Sequence, residues 1–397
     1  MREILKSLGK RKLANFLIFL QIAFSFTYFF TTAAAIQKVF HVYSEVPRAL
    51  NTDGERIMMA EVQNDIIEGK EFQSFCEDLK REGKIEKIGT YHNTWLDSER
   101  MNADDVYGIE VSRDVDWIKS IQTEDGRGFE PDDFVSEQVN GSEEHPLPML
   151  VGQELVQKYS LQIGEQLSDL NGVHYEVVGV LRHGSRWFMQ TIPEGLSLSL
   201  ENQVVIPLPE NGDVQMYYYF KVSDGVASEE AGESIERIAE RYQIQLSVDS
   251  VAHDLQEQFD EDLNENIQWM CFSLIVLLMI SIGLTTLIVA RMYSRKREIG
   301  IRIAVGYTLQ QVCRMFVSEV LILVLTGLLS AIAVSRVFVG NGTDYWEGLV
   351  SSTGMMLTYP IVISGVMLGI LMCVPSIVTL FVKFRKLQPK NLIGGKE

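Results

Sequence analysis

The sequence predicts an α-helical membrane protein with four transmembrane helices plus an α+β extracytoplasmic domain of two subdomains. Three observations predict it. Four stretches, residues 13–36, 270–290, 315–334 and 356–382, are apolar over the roughly 20 residues a helix needs to cross a bilayer. Charge is sorted by segment: residues 1–12, 291–314 and 383–397 together hold 16 Lys and Arg against 3 Asp and Glu, whereas residues 37–268 hold 18 against 47. Within 37–268, segments of period 2 alternate with segments of period 3.6, which marks a folded mixed domain.

The chain has 397 residues and a net charge of −18, an average that hides two populations. Short basic flanks face the cytoplasm, so both termini are expected inside and the acidic 37–268 outside. The order that follows is 1–12 cytoplasmic; 13–46 first span and stalk; 47–250 extracytoplasmic domain, with an inserted subdomain at about 145–212; 251–292 stalk and second span; 293–307 a cytoplasmic coupling helix; 308–335 third span; 336–355 outer loop; 356–382 fourth span; 383–397 cytoplasmic tail. Ala33-Ala34-Ala35 fits a leader-cleavage pattern. The apolar run is about twice the usual leader length, however, and continues at helical spacing through Ile36, Val39, Phe40 and Tyr43. The first span is therefore read as retained, with Pro47 stopping its extension.

In the outer domain, strands are expected at 56–63, 85–95, 106–111, 204–208, 216–222 and 244–248, and helices at 71–79, 153–159 and 229–242. A hairpin at 168–181 turns at Asn171-Gly172, a strong turn signal. The acidic stretch 124–148 reads as a junction. One subdomain is built from the two ends, 48–140 and 214–250, and the other is inserted between them. The acidity suits either a solvated surface or a cationic ligand; it implies no nucleic-acid partner. Of four cysteines only Cys76 falls in this domain, so it has no intrachain disulfide partner there.

No catalytic, cofactor-binding or metal-binding constellation is present in the pattern. The phosphate-loop motif G-x-x-x-x-G-K-[ST] is missing, as are H-E-x-x-H and C-x-x-C, and the six histidines lack ligand spacing. The chain itself is expected to be non-enzymatic.

The spans carry packing signals. Gln21, Ser25, Tyr28 and Thr32 share one face of the first span, and polar groups in hydrocarbon need partners, so this face is expected against protein. Gly365 and Gly369 form G-x-x-x-G in the fourth span, and Gly327 pairs with Ala331 in the third. Glu319 is the only ionisable residue in the spans, near the cytoplasmic end, where water or arginine is in reach; a structural interface role is expected. Leu255, Phe259, Leu263 and Ile267 repeat every four residues into the second span, making a second stalk.

Residues 294–319 are the most informative. A basic run marks the exit of the second span. Ile299, Ile303 and Ala304 give a short helix one apolar side, Gly306 suits a left-handed helix end, and Thr308 with Gln311 forms a capping box that starts the next helix. Such a short helix joined to two spans is suited to serve as a lever for a cytoplasmic partner.

These residues carry a resemblance. Arg297-Glu298-Ile299-Gly300-Ile301-Arg302, then Ala304-Val305-Gly306, then Ser318-Glu319 at the opening of an apolar span, resemble the signature of the MacB/FtsX-type permeases of ABC systems. VGQELVQKYSLQIGEQL at 151–167, NGVHYEVVGVL at 171–181 and QVVIPL at 203–208 are similar to the smaller subdomain of that family's outer region. The closing RKLQPKNLI resembles its basic end. Tyr307-Thr308-Leu309 departs from the small and basic residues common after the glycine.

The resemblance implies a permease subunit working with a separate cytoplasmic ABC ATPase, which binds ATP and Mg; no cofactor is expected in this chain. It implies a second permease subunit, identical or related, and admits an extracytoplasmic adaptor protein. Arg297, Glu298, Ile299, Gly300, Arg302, Ala304 and Gly306 become the residues expected to face the ATPase. Substrates in the family include peptides, antibiotics and lipoproteins. Some relatives instead control cell-wall hydrolases or sense antimicrobial peptides. The large outer domain favours export over the first role, and the four-span count disfavours the second.

Overall fold

The computed structural model describes residues 12–63, 69–98, 101, 105–134, 141–188, 190–196, 198–209, 214–340 and 357–386. The N-terminal basic segment, most of the expected 336–355 loop and most of the closing tail lie outside the described residues. The described chain divides into two compact units, one of residues 39–261 and one of helical segments from 12–38, 262–340 and 357–386.

The helical unit draws on α1 (Lys12–Ala49), which precedes the α+β unit, and on α5 (Val251–Ser294), α6 (Lys296–Ala304), α7 (Leu309–Gly340) and α8 (Tyr359–Lys386), which follow it. Among the described residues four helices, α1, α5, α7 and α8, are long and apolar enough to cross a membrane. α1 does not stop before Pro47: Leu50 N donates to Val46 O at 3.3 Å and the helix ends at Ala49. Proline there lacks its own donor and crowds the carbonyl four residues back, yet the helix closes one short stretch beyond it.

The core of this unit is apolar, with Ile22, Phe26 and Phe30 of α1 among its fully buried members. Close approach needs the small residues. A Cβ on Gly327 would meet Ile22 Cγ2 at 2.6 Å, and one on Gly365 would overlap the Phe30 ring. Gly369 faces Phe26 and Val324 at 3.6 Å. Hydroxyls tie α5 to α8: Ser281 Oγ donates to Met372 O at 3.0 Å, and Thr285 Oγ1 lies 2.9 Å from Ser376 Oγ. The polar face of α1 is only partly enclosed. Ser25 and Thr32 are buried and Tyr28 packs edge-on to Trp269 and Phe272, but Gln21 is exposed, one turn beyond the enclosed part of the face.

Among the described residues the α+β unit holds two large sheets around a shared core and one two-stranded pair. The first has strand order β13-β1-β12-β2, all antiparallel, from β1 (Ile57–Val62), β2 (Ile85–Gly89), β12 (Tyr217–Val222) and β13 (Leu246–Ser250). Period 2 sends alternate residues to opposite faces. Met58, Ala60, Tyr218 and Phe220 pack with helices α2 (Gly69–Glu82) and α4 (Ser228–Arg241), while Ile57 and Tyr219 face the other way.

The second sheet has order β3-β4-β11-β6-β8-β5, with β7 paired to β8. Its strands are β3 (Tyr91–Asp97), β4 (Asp105–Val111), β5 (Thr123–Gly126), β6 (Leu147–Val151), β7 (Gln166–Ser168), β8 (His174–Leu181) and β11 (Val204–Pro207); β9 (Arg186–Trp187) and β10 (Leu198–Ser199) pair separately. α3 (Gln153–Tyr159) contributes Leu155 and Tyr159 to the core over one face, and Ile109, Leu150 and Val205 from the other face join Ile57 and Tyr219 between the sheets.

This topology corrects two expectations. The single strand expected at 85–95 is two strands in two sheets. Between them Thr90 donates through Oγ1 to Tyr217 O at 2.6 Å, and its N–H reaches Ser112 Oγ at 2.9 Å, pinning the crossing point. The inserted subdomain is also larger than 145–212, because β3, β4 and β5 belong to its sheet and the 124–148 junction contributes to it. β4 pairs in parallel with β11 nearly a hundred residues away, and local periodicity carries no information about such pairing.

Candidate functional site

The short helix α6 is closed at its C-terminal end by local chemistry. At its C-terminus Tyr307 N donates to Arg302 O and Gly306 N to Ile303 O, both at 3.0 Å. This is the paired bonding of a Schellman end, with Gly306 at φ 102°. The next helix opens with a reciprocal capping box: Thr308 N donates to Gln311 Oε1 at 2.8 Å and Gln311 N to Thr308 Oγ1 at 3.3 Å. Two helices thus meet through a turn whose backbone groups are satisfied, so little slack remains between α6 and α7.

Ile299 is 1% exposed and Gly300 is buried, which seats α6 on the helical core, with Ile303 packed beside them. Ala304 does not share that side. It lies five residues from Ile299, well round the helix, and is exposed. The outward face carries Arg297 and Glu298, with Ile301 56% and Val305 75% exposed. Arg302 donates to Glu298 Oε1 at 3.0 Å and stands over the Tyr307 ring at 6.0 Å. Of the residues expected to face a partner, Arg297, Glu298, Ala304 and Gly306 are exposed, Arg302 is partly so, and Ile299 and Gly300 are anchors. Ile301, Val305 and Tyr307 are exposed as well, and Ile301 and Val305 stand four apart on the side opposite Ile299, a spacing visible in the sequence.

Behind α6 lies an ionic cluster. Glu319 on α7 is 1% exposed, with Arg295 Nη1 3.2 Å from Oε1 and Arg291 Nη1 3.6 Å from Oε2. Arg291, 5% exposed, also donates to Asn15 Oδ1 of α1. One carboxylate and two guanidinium groups therefore join α1, the end of α5 and α7. A buried ion pair owes much of its effect to geometry, and losing one partner leaves an uncompensated charge. Sequence reading places arginine within reach of Glu319; the role of Asn15 has no sequence signal.

In the α+β unit the two stalk segments touch. Phe259 packs edge-on against Phe40 and Tyr43 with ring centroids 5.5 and 5.0 Å apart, beside a cleft of about 490 Å³ that Leu255 also lines. Val39 is buried, while Ile36 and Leu263 of the helical unit are partly buried and Ile267 is exposed. Asp249, His253 and Glu257 bring three possible metal-ligand atoms within 4.8 Å of one another, a grouping the histidine spacing did not reveal. It is an exposed set, with His253 Nδ1 2.8 Å from Asp249 Oδ2, of a kind common on acidic surfaces.

Four membrane-spanning helices, with an α+β domain between the first and second in the chain, define a multi-pass membrane protein. A family model described as MacB-like periplasmic core domain matches residues 25–238, and one described as FtsX-like permease C-terminal matches residues 270–389. The chain belongs to the MacB/FtsX-type family of ABC permease components, a family that implies an ABC ATPase partner. Among solved structures it is similar to the periplasmic region of MacB from Actinobacillus actinomycetemcomitans, at 15% identity over 53% of this chain and 94% of that one, with a TM-score of 0.36. It is also similar to the extracellular domain of the noncanonic ABC-type transporter YknZ from Gram-positive bacteria, at 12% identity over 48% of this chain and 97% of that one, with a TM-score of 0.33. No curated protein matched the chain in the sequence comparison.

Proposed function

We propose that this chain is the permease subunit of an ATP-driven export or mechanotransmission system, passing the work of a separate cytoplasmic ATPase to its α+β domain to move a peptide, antibiotic or lipid-linked substrate. Both termini and α6 face the cytoplasm and the α+β domain faces outward, as the charge sorting of the sequence favours. Two permease subunits, identical or related, work with the ATPase. ATP and Mg are bound by that partner, and this chain hydrolyses nothing alone.

The observation that carries this reading is the build of α6. It is seated by Ile299, closed by Gly306 and the Thr308–Gln311 box, and backed by the Glu319 cluster, yet it presents Arg297, Glu298, Ile301 and Val305 outward. An apolar pair flanked by charge on a stiffly mounted helix suits a docking groove: the apolar pair supplies affinity and the charges set the partner. α1 and α5 are each one unbroken helix. A helix transmits displacement because its hydrogen bonds are internal and its rise is fixed at about 1.5 Å per residue.

The test is co-purification with the cognate ATPase. Glu298→Lys reverses a charge on the docking face and breaks the pair with Arg302; captured ATPase should fall about tenfold or more while the permease still inserts. Full capture and full export by this variant would remove α6 from the interface.

A further inference from the structure

The α+β unit holds a cleft whose cationic walls run against the acidity of the domain. It encloses about 370 Å³ between Glu45 of α1 and a wall that includes Lys119, Arg182, Arg186 and Trp187. A wider cleft of about 690 Å³ adjoins it, sharing Gln122, Arg182 and His183.

Arg186 Nη1 lies 3.0 and 3.3 Å from the two oxygens of Glu45. Lys119 stands in the same field. Burial holds its ammonium below the usual lysine range, Arg186 pushes it the same way, and Glu45 opposes them. Among the described lining residues Glu45 is the one carboxylate beside Lys119 and Arg186, and Arg182 adds a third cation at the rim, donating to Gln122 Oε1 at 2.6 Å. The acids at the His183 end are already paired: Glu201 Oε1 is 2.8 Å from His183 Nδ1 and accepts from Gly184 N, and Glu124 Oε2 accepts from Gln153 Nε2 at 2.6 Å and from His183 N at 3.3 Å.

Trp187 also lines the cleft, its side chain fully buried. Leu196 and Leu200 add apolar wall. The volume lies within the range of small-molecule sites, which combine apolar lining with a few placed polar groups.

We propose that this cleft binds the carboxylate of an amphipathic ligand, its acid group set against Lys119 and Arg186 and its apolar body toward Leu196 and Leu200, in competition with Glu45. Glu45 belongs to α1 and Arg186 to β9, so a ligand that takes over Arg186 removes one ionic tie between α1 and the domain, while Val42, Val46 and Ala49 stay packed in its core. No ATPase enters the test, so its outcome is separate from that of the α6 variants.

The test is calorimetric titration of the full chain in nanodiscs with N-acetyl-leucine, a carboxylate on an apolar body. Saturable binding is expected, with none for N-acetyl-leucinamide. Lys119→Gln should weaken it at least tenfold, and Glu45→Gln, which removes the competing acid, should tighten it several-fold. Should Lys119→Gln fail to fold, as judged by its thermal melt, Arg182→Gln at the exposed rim takes its place, with the same direction expected. A tripeptide ending in leucine, with free or amidated C-terminus, separates the two sources of carboxylate: tighter binding of the free-ended peptide than of N-acetyl-leucine assigns the site to chain termini, and weaker binding to small acids. Equal binding of acid and amide, no saturation in the millimolar range, an unchanged affinity in the cation variant, or weaker binding by Glu45→Gln would each overturn the proposal. Methyl phosphate binding as tightly as N-acetyl-leucine would also overturn it, replacing a carboxylate site by a general anion site.

Discussion

At Gly306 the backbone stands at φ 102° and a Cβ built there would touch nothing within 4 Å. The demand for glycine is conformational, unlike that at Gly327, where a Cβ would run into Ile22. A β-branched residue at positive φ is an outlier, and such strain costs about 1–3 kcal/mol. Gly306→Val is therefore expected to loosen the α6–α7 turn without disturbing the core. Hydrogen exchange of the α6 amides should speed up by about tenfold or more, with ATPase capture reduced. Protection equal to the parent protein would show that the turn tolerates the side chain. Cys76, on α2, makes a complementary case. Burial pushes its thiol up to about 12, with Lys80 pulling only weakly against it. The thiolate is the reactive form, so maleimide at neutral pH should modify Cys76 at least about a hundredfold more slowly in the folded protein than in denaturant. Equal rates would mean that the α2 face is open.

At the scale of elements, the stalk segments of α1 and α5 meet through Phe40, Tyr43 and Phe259. The sequence shows both stripes but not their register, because a helical repeat says which face is apolar and nothing about which residue lies opposite. The structure narrows the choice to cysteine pairs 40–259 and 43–259, made after Cys76 is replaced. A disulfide forms only when the Cα atoms come within about 7 Å. At least one locked pair is expected to abolish export, with reduction restoring it and ATPase binding kept throughout. Full export with every efficiently formed cross-link would make the α+β domain a passive platform. α6 was legible for a related reason. Its C-terminal end and the start of α7 are set by Gly306, Thr308 and Gln311, whose partners are at most a few residues away. Ile299 and Ala304, close in sequence, stand on different sides of the helix by angle, so Ala304 is exposed.

For the molecule as a whole, the charge sorting makes a prediction about sidedness. Gln310→Cys, beside α6, should be shielded from an impermeant thiol reagent in intact cells and react once the membrane is opened. Gln162→Cys, on an exposed turn of the α+β domain, should react from outside. Labelling with the opposite pattern would invert the proposed topology and remove α6 from the reach of a cytoplasmic ATPase. Gly365 and Gly327 belong to this scale as well, since each admits a side chain of α1 and so sets how closely three spans pack.

The sequence by itself determined the four spans, most strands and helices of the α+β domain, the C-terminal end of α6 and the family, because each is written in hydropathy, periodicity or bonds between near neighbours. Tertiary structure alone decided that 85–97 crosses between two sheets, that β4 lies beside β11, that Asn15, Arg291, Arg295 and Glu319 converge, and that Glu45 closes a cationic cleft. These are pairings between residues as much as 276 positions apart. Periodicity fixes the face on which a residue lies, but only the packing of whole elements chooses what that face meets.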